Sequence, residues 1–216
     1  MPPYCTSGQV VKGLEQGILG HRSGYTAESM AERTVASRTV FEGRLLTLRV
    51  DEVALDNGRT ATREIVQHPG AVGIVALTAG DELVLVRQYR KAAELLTLEI
   101  PAGTLGKGEA PADCARRELA EETGYGASQL QPICSFYTAV GFCTELMHLF
   151  LARELLAGSA ANEEDEDIEV LAMPVAQALT MVERGQIVDA KTVAGVLWAQ
   201  LFLAGQRPFM ASRPAL

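Results

Sequence analysis

The chain has 216 residues, 48% of them hydrophobic, which is enough to bury one sizeable core with a small appendage. Its 27 Asp and Glu outnumber 19 Lys and Arg for a formal net charge of −8, and no basic run could track a phosphate backbone, which argues against a nucleic-acid polymer as partner. An anionic small substrate would need a bound cation to offset this acidity.

Cys5, Cys114, Cys134 and Cys143 show no CxxC spacing, and the N-terminus lacks the basic-then-apolar order of a signal peptide. The expectation is reduced thiols in a cytoplasmic protein. The longest apolar stretch, "TVAGVLWAQLFLAG", is too short for a membrane span and reads as a helix packed on the core.

In chain order, residues 1–37 are broken by Gly and Ser and read as a flexible tail, with a short helix near "TAESMAERT". Residues 38–70 hold β-branched runs around an Asp56-Asn57-Gly58 turn and predict a small antiparallel β subdomain, closed by His68-Pro69-Gly70. The main body, 71–206, opens with two apolar strands joined at Ala79-Gly80-Asp81 and continues through "LLTLEIPAG". Further strands are expected at "ICSFYTA", "ELMHLFLARE" and "IEVLAMP", and helices at "VAQALTMVERG" and "DAKTVAGVLWAQLFLAG". Residues 207–216 read as a C-terminal tail. Strands outnumber helices without alternating with them, so the fold class is α/β of the α+β kind, a mixed sheet between helices.

Between these elements, "GTLGKGEAPADCARRELAEETGY" predicts a helix from about Pro111 to Thr123: Pro suits its first turn, Asp113 its positive end and Gly124 the residue past its end. Ala112, Ala115 and Leu119 form its apolar stripe, and Glu118, Glu121 and Glu122 fall at i, i+3 and i+4 on an adjacent face. Three carboxylates near the negative end of a helix dipole oppose its stability. Their chemistry suits a hard cation, Mg²⁺ or Mn²⁺, shared with substrate phosphates.

Gly103, Glu109, Arg117-Glu118-Leu119, Glu121-Glu122 and Gly124 resemble the Nudix hydrolase signature at every position but the last, where Tyr125 replaces an aliphatic residue. The resemblance implies a Nudix fold in which Glu118, Glu121 and Glu122 ligate divalent metal with the main-chain carbonyl of Ala102. It also implies that Glu109 and Arg117 brace the loop against the helix, and that water attacks the pyrophosphate of a nucleoside diphosphate linked to another group.

"REIVQHPGAVGIVAL", "LVLVRQYRKA", "LEIPAGTL", "NEEDEDIEV" and "VDAKTVAGVLWAQ" look like the ADP-ribose pyrophosphatase branch. That similarity implies a homodimer formed through the N-terminal sheet, with the adenine bound across the interface. Arg63 and Glu64 would contact the nucleotide, and Arg90 the diphosphate, where a guanidinium forks onto phosphate oxygens. The acidic run Asn162–Asp167 would supply the general base, Glu164 first and Glu166 second. Glu145 aligns with another acidic residue that lines the site.

One departure bears on substrate. The branch usually reads Ser-Pro-Gly where this chain has Ala139-Val140-Gly141. Loss of the fixed proline φ predicts a less constrained loop at the substrate, and opens GDP-mannose or another nucleoside diphosphate sugar as the preferred substrate. A non-catalytic nucleotide-sugar sensor is disfavoured because all the motif glutamates are present.

Overall fold

The computed structural model describes residues 32–158 and 168–206. Along them run β1 (Arg33–Glu42), β2 (Thr47–Ala54), β3 (Thr60–Gln67), β4 (Ala71–Ala76), β5 (Glu82–Arg90), β6 (Leu95–Glu99) and β7 (Ala102–Thr104). There follow α1 (Pro111–Thr123), β8 (Tyr125–Tyr137), β9 (Leu146–Ala157), β10 (Glu169–Pro174), α2 (Val175–Glu183) and α3 (Ala190–Leu203). Contacts divide the described residues into two compact units, 32–38 with 50–64, and 39–49 with those from 65 onward.

In the first unit, β2 and β3 meet at the expected turn: Leu55 N–H donates to Arg59 O over 2.9 Å, and Gly58 takes φ 77°. Ser37 Oγ donates to the buried Asp51 carboxylate at 2.6 Å. The sheet order is β1-β2-β3. β1 starts at Arg33, inside the segment expected to be a tail, because "RTVASRTVF" carries the β-branched pairs Thr34-Val35 and Thr39-Val40, which suit an extended strand. All ten β1 residues are exposed. Most of the short helix expected near Thr26–Thr34 lies outside the described residues, and its last two, Arg33 and Thr34, are strand.

The second unit contains two sheets, β10-β5-β6 and β7-β4-β9-β8. β4 and β9 run parallel, with Gly73 opposite Leu149. The two apolar strands of 71–91 are present, but they enter different sheets and share only the isolated Leu77–Leu83 bridge. Every residue of β4 is buried, the mark of a central strand, and it takes β7 and β9 as neighbours.

Alternation along β4 sorts the core into two layers. Val72, Ile74 and Ala76 pack with Cys114, Ala115 and Leu119 of α1, while Val75 and Leu77 pack with Ile100, Leu149 and the α3 residues Val196 and Ala199. The sheets therefore lie between α1 on one side and α2 with α3 on the other, as the composition of elements predicts. Full burial of a side chain such as Leu119 stabilises this layering by roughly 2 kcal/mol.

Candidate active site

α1 begins at Pro111 and ends at Thr123, capped by Gly124, whose φ of 71° lets its N–H turn back to Ala120 O at 2.9 Å. Its last turn holds no basic residue, so Glu121 and Glu122 sit at the unfavourable end of the helix dipole. Glu122 is only 5% exposed. Its Oε2 accepts the main-chain N–H of Ala102 over 3.0 Å, which fastens the start of β7 to the helix.

Glu118, Glu121 and Glu122 line one cleft of about 360 Å³ with Arg117, Thr104 and the β1–β2 turn residues Arg44 and Leu45. Gly103 is what lets the loop approach, because a β-carbon there would overlap the Glu118 carboxyl.

Arg117 organises the charges. Its Nε and Nη2 donate to the two Glu109 oxygens at 2.9 and 3.0 Å, and its Nη1 donates to Glu118 Oε1 at 2.7 Å and Glu121 Oε2 at 2.9 Å. These bonds, Glu109 foremost, push the Arg117 pKa up, and the same guanidinium with the Gly106 N–H holds the Glu109 carboxyl at about 2. Burial pushes the Cys114 thiol beneath them up to about 12, which removes it as a thiolate nucleophile.

Among the described residues no three His, Cys, Asp or Glu side chains are gathered into a preformed metal cage. The reason is visible: Arg117 Nη1 stands between Glu118 and Glu121, and Glu122 holds Ala102. The donors nonetheless fit a hard divalent cation, since three carboxylates face one cleft.

Arg90, the expected diphosphate contact, forks onto Glu99 through Nε (2.8 Å) and Nη2 (2.7 Å) and keeps 41% of its side chain exposed. Its pKa is raised, by the bonds to Glu99 foremost and with smaller contributions from the charges of Glu122 and Asp189. Glu145 accepts from Thr138 Oγ1 at 2.5 Å. His68 Nδ1 lies 3.7 Å from it and accepts the Gly70 N–H. In the first unit Arg63 pairs with Glu32, and Glu64 is exposed. Glu164 and Glu166 lie outside the described residues.

The loop expected to be loose is tied by its backbone. Phe142 and Cys143 N–H groups donate to Ala139 O, while Thr144 N–H and Phe142 O bond Val66 across 2.9 and 2.8 Å. Val140 is 80% exposed.

Sequence reasoning passed over Arg44, Glu99 and Lys191. Arg44 is a turn residue with no local pattern, and Lys191 reads as an ordinary helix residue. Glu99 did carry a signal, an acid inside the apolar strand "LLTLEI".

A fold of mixed sheets between helices, with a glutamate-rich helix clasped to a glycine loop by Arg117 and Glu109, defines a Nudix domain. The NUDIX domain model matches residues 67–195 and the nucleoside diphosphate sugar hydrolase N-terminal domain model matches 32–66. The chain belongs to the Nudix family and to its hydrolases. It is 44% identical over 176 residues to an ADP-ribose pyrophosphatase of Bacillus subtilis, covering 81% of this chain and 95% of that one. It is also 44% identical to a methanol dehydrogenase activator of Bacillus methanolicus (79% and 93% covered), and 40% identical to a GDP-mannose pyrophosphatase of Cronobacter sakazakii (60% and 76% covered). The crystal structure of an ADP compounds hydrolase superposes with a TM-score of 0.72 at 26% identity, covering 81% of this chain and 95% of that one.

Proposed function

We propose that the protein is a divalent-metal-dependent pyrophosphatase that hydrolyses ADP-ribose to AMP and ribose 5-phosphate. The observation that carries this reading is the convergence of Glu118, Glu121 and Glu122 on one cleft. The relatives named for ADP-ribose cover most of the chain and support the choice of substrate.

Glu118, Glu121, Glu122 and the Ala102 carbonyl would hold Mg²⁺ or Mn²⁺. When bound, the ion supplies positive charge to the diphosphate and lowers the pKa of the attacking water. Arg90 binds diphosphate oxygens and orients them. Arg117 and Glu109 keep the glycine loop in place. Glu164, or failing it Glu166, takes the proton of the water as the new P–O bond forms, and the bridging P–O bond breaks, so that AMP and ribose 5-phosphate part as two phosphomonoesters. Arg63 and Glu64 contact the nucleotide, and Glu145 lines the site.

The same reading includes a homodimer formed through the exposed β1 strand, with the adenine held across it, and a cytoplasmic setting. No helix among the described residues is long and apolar enough to cross a membrane, and Cys114, Cys134 and Cys143 are free thiols.

A second substrate is favoured by one observation, the Val140 replacement in the loop that the branch usually builds with proline, and by the relatives named GDP-mannose pyrophosphatase. Turnover of ADP-ribose, GDP-mannose, UDP-glucose and diadenosine polyphosphates, each with Mg²⁺ and with chelator, tests both. Metal-dependent turnover led by ADP-ribose is expected. Turnover led by GDP-mannose would move the substrate and keep the mechanism, and no turnover at all would refute the enzyme.

A further inference from the structure

Glu99 is a carboxylate 2% exposed at the end of β6, beside the buried Thr97 and Leu98. Such a group persists only when it is paired and fully bonded. It is both. Arg90 donates to its two oxygens, Thr97 Oγ1 donates to Oε1 at 2.5 Å, and Lys191 of α3 pairs with Oε2.

The cluster reaches further through α3. Lys191 Nζ also lies 3.0 Å from Asp189 Oδ2, and Asp189 caps the helix by accepting the Thr192 N–H at 3.0 Å. Thr192 Oγ1 in turn accepts the Ile100 N–H at 2.9 Å. Two cations and two carboxylates balance one another, so the assembly needs no ligand to hold it together. Helix α3, on the layer opposite α1, therefore grips consecutive residues of the chain, Glu99 and Ile100, just ahead of the Ala102 loop.

The bonding pattern on Arg90 is the decisive detail. Glu99 engages the Nε and Nη2 edge of the guanidinium and leaves Nη1 without a bond to it, and the side chain is 41% exposed. A fork held along one edge presents the other in a fixed direction. That spares the ligand the cost of ordering a long side chain.

We infer that Glu99 is a positioning residue for substrate binding: clamped by Lys191 and Thr97, it holds the guanidinium of Arg90 by one edge so that the other edge meets the diphosphate. The inference rests on the proposed role of Arg90 as a diphosphate contact. Lys191 supplies the second charge that keeps Glu99 from drawing Arg90 wholly onto itself.

The test is a double-mutant cycle read in KM and kcat for ADP-ribose with Mg²⁺. Arg90→Ala should raise KM by about tenfold or more, the weight of a charge-assisted phosphate contact. Glu99→Gln should raise KM by several-fold with kcat changed much less, and should add nothing further in the Arg90→Ala background, because coupled residues fail to add. If Glu99→Gln does not fold, Lys191→Met replaces it in the same cycle, with the same loss of effect when Arg90 is absent. Equal KM penalties with and without Arg90, or a KM left at the wild-type value, would overturn the inference while leaving Arg90 as a contact. An Arg90→Ala enzyme with wild-type KM would overturn both.

Discussion

Gly103 stands so close to Glu118 that a side chain on it would fall inside the carboxyl group. The flat loop and the helix therefore meet at a point where only hydrogen fits, and Glu118 is aimed by what Gly103 lacks. Gly103→Ala is expected to turn Glu118 out of the cleft. Metal affinity should fall by about 10- to 100-fold, as when a supporting contact is lost. Calorimetric titration with Mn²⁺ checks this, and unchanged affinity would show that the loop yields instead.

Arg117 makes four bonds to three carboxylates in the cleft. Replacing it with Ala leaves Glu109, Glu118 and Glu121 to repel one another. Because Arg117 is partly exposed, the loss of stability should be modest, about 1 kcal/mol or somewhat more. The distinguishing expectation is that saturating Mg²⁺ restores more Tm to Arg117→Ala than it adds to the wild type, since the ion replaces the missing charge. Equal increments in a thermal melt would count against it.

Metal itself should register as stability. A ligand that binds only the folded state at 100 times its dissociation constant adds about 2.7 kcal/mol. Tm should rise with Mg²⁺ in the wild type and stay flat in Glu122→Gln, in which the Ala102 contact weakens and a donor is lost. A chelator should abolish turnover. A melt indifferent to Mg²⁺ at millimolar levels would refute the cation site.

How much of this was legible beforehand depended on whether the signal was local. The helix Pro111–Thr123 and its caps follow from Pro111 and Gly124, and the Asp56-Asn57-Gly58 turn announces itself in three residues. Partnering was not local. Val72–Ala76 and Leu83–Val86 read as neighbouring apolar strands, yet nothing in either says that one joins β9 and the other β10. Burial on both faces decides that, and it is a property of the finished fold. Lys191 makes the same point for the site. It is 92 residues from Glu99, and its pairing exists only once α3 has docked.

Glu99 also sets an acid limit. Burial alone would push its carboxyl up, but Arg90, Lys191 and Thr97 outweigh burial and hold it at about 2, against an ordinary 4.5. A carboxyl whose folded value is depressed contributes stability above its unfolded pKa, and that contribution is lost as pH falls toward the folded one. The contribution is on the order of 3 kcal/mol at neutral pH and should drain away between about 4.5 and 2. Urea unfolding followed from pH 6 down to pH 3 should show a steeper decline in the wild type than in Glu99→Gln. Parallel curves would mean that other carboxylates govern the acid limb.

β1 offers the last prediction. All ten of its residues are exposed, among them Val35 at 45%, Val40 at 49% and Phe41 at 56%. Among the described residues β1 has a strand neighbour on one side only, and an edge strand with large apolar side chains invites pairing with a second strand, while proteins that remain monomeric guard such edges with charge or proline. Here the alternation from Val35 to Phe41 carries only Arg38 as a guard. A second copy of the chain is the partner that the proposed homodimer requires. Phe41→Asp places a charge in that surface, so sedimentation should change from dimer to monomer while the circular dichroism of the folded core is kept. Because the adenine is proposed to bind across the pair, KM for ADP-ribose should rise in the same variant and recover as protein concentration is increased. A wild-type chain that sediments as a monomer at micromolar concentration would end the dimer and the shared adenine site together.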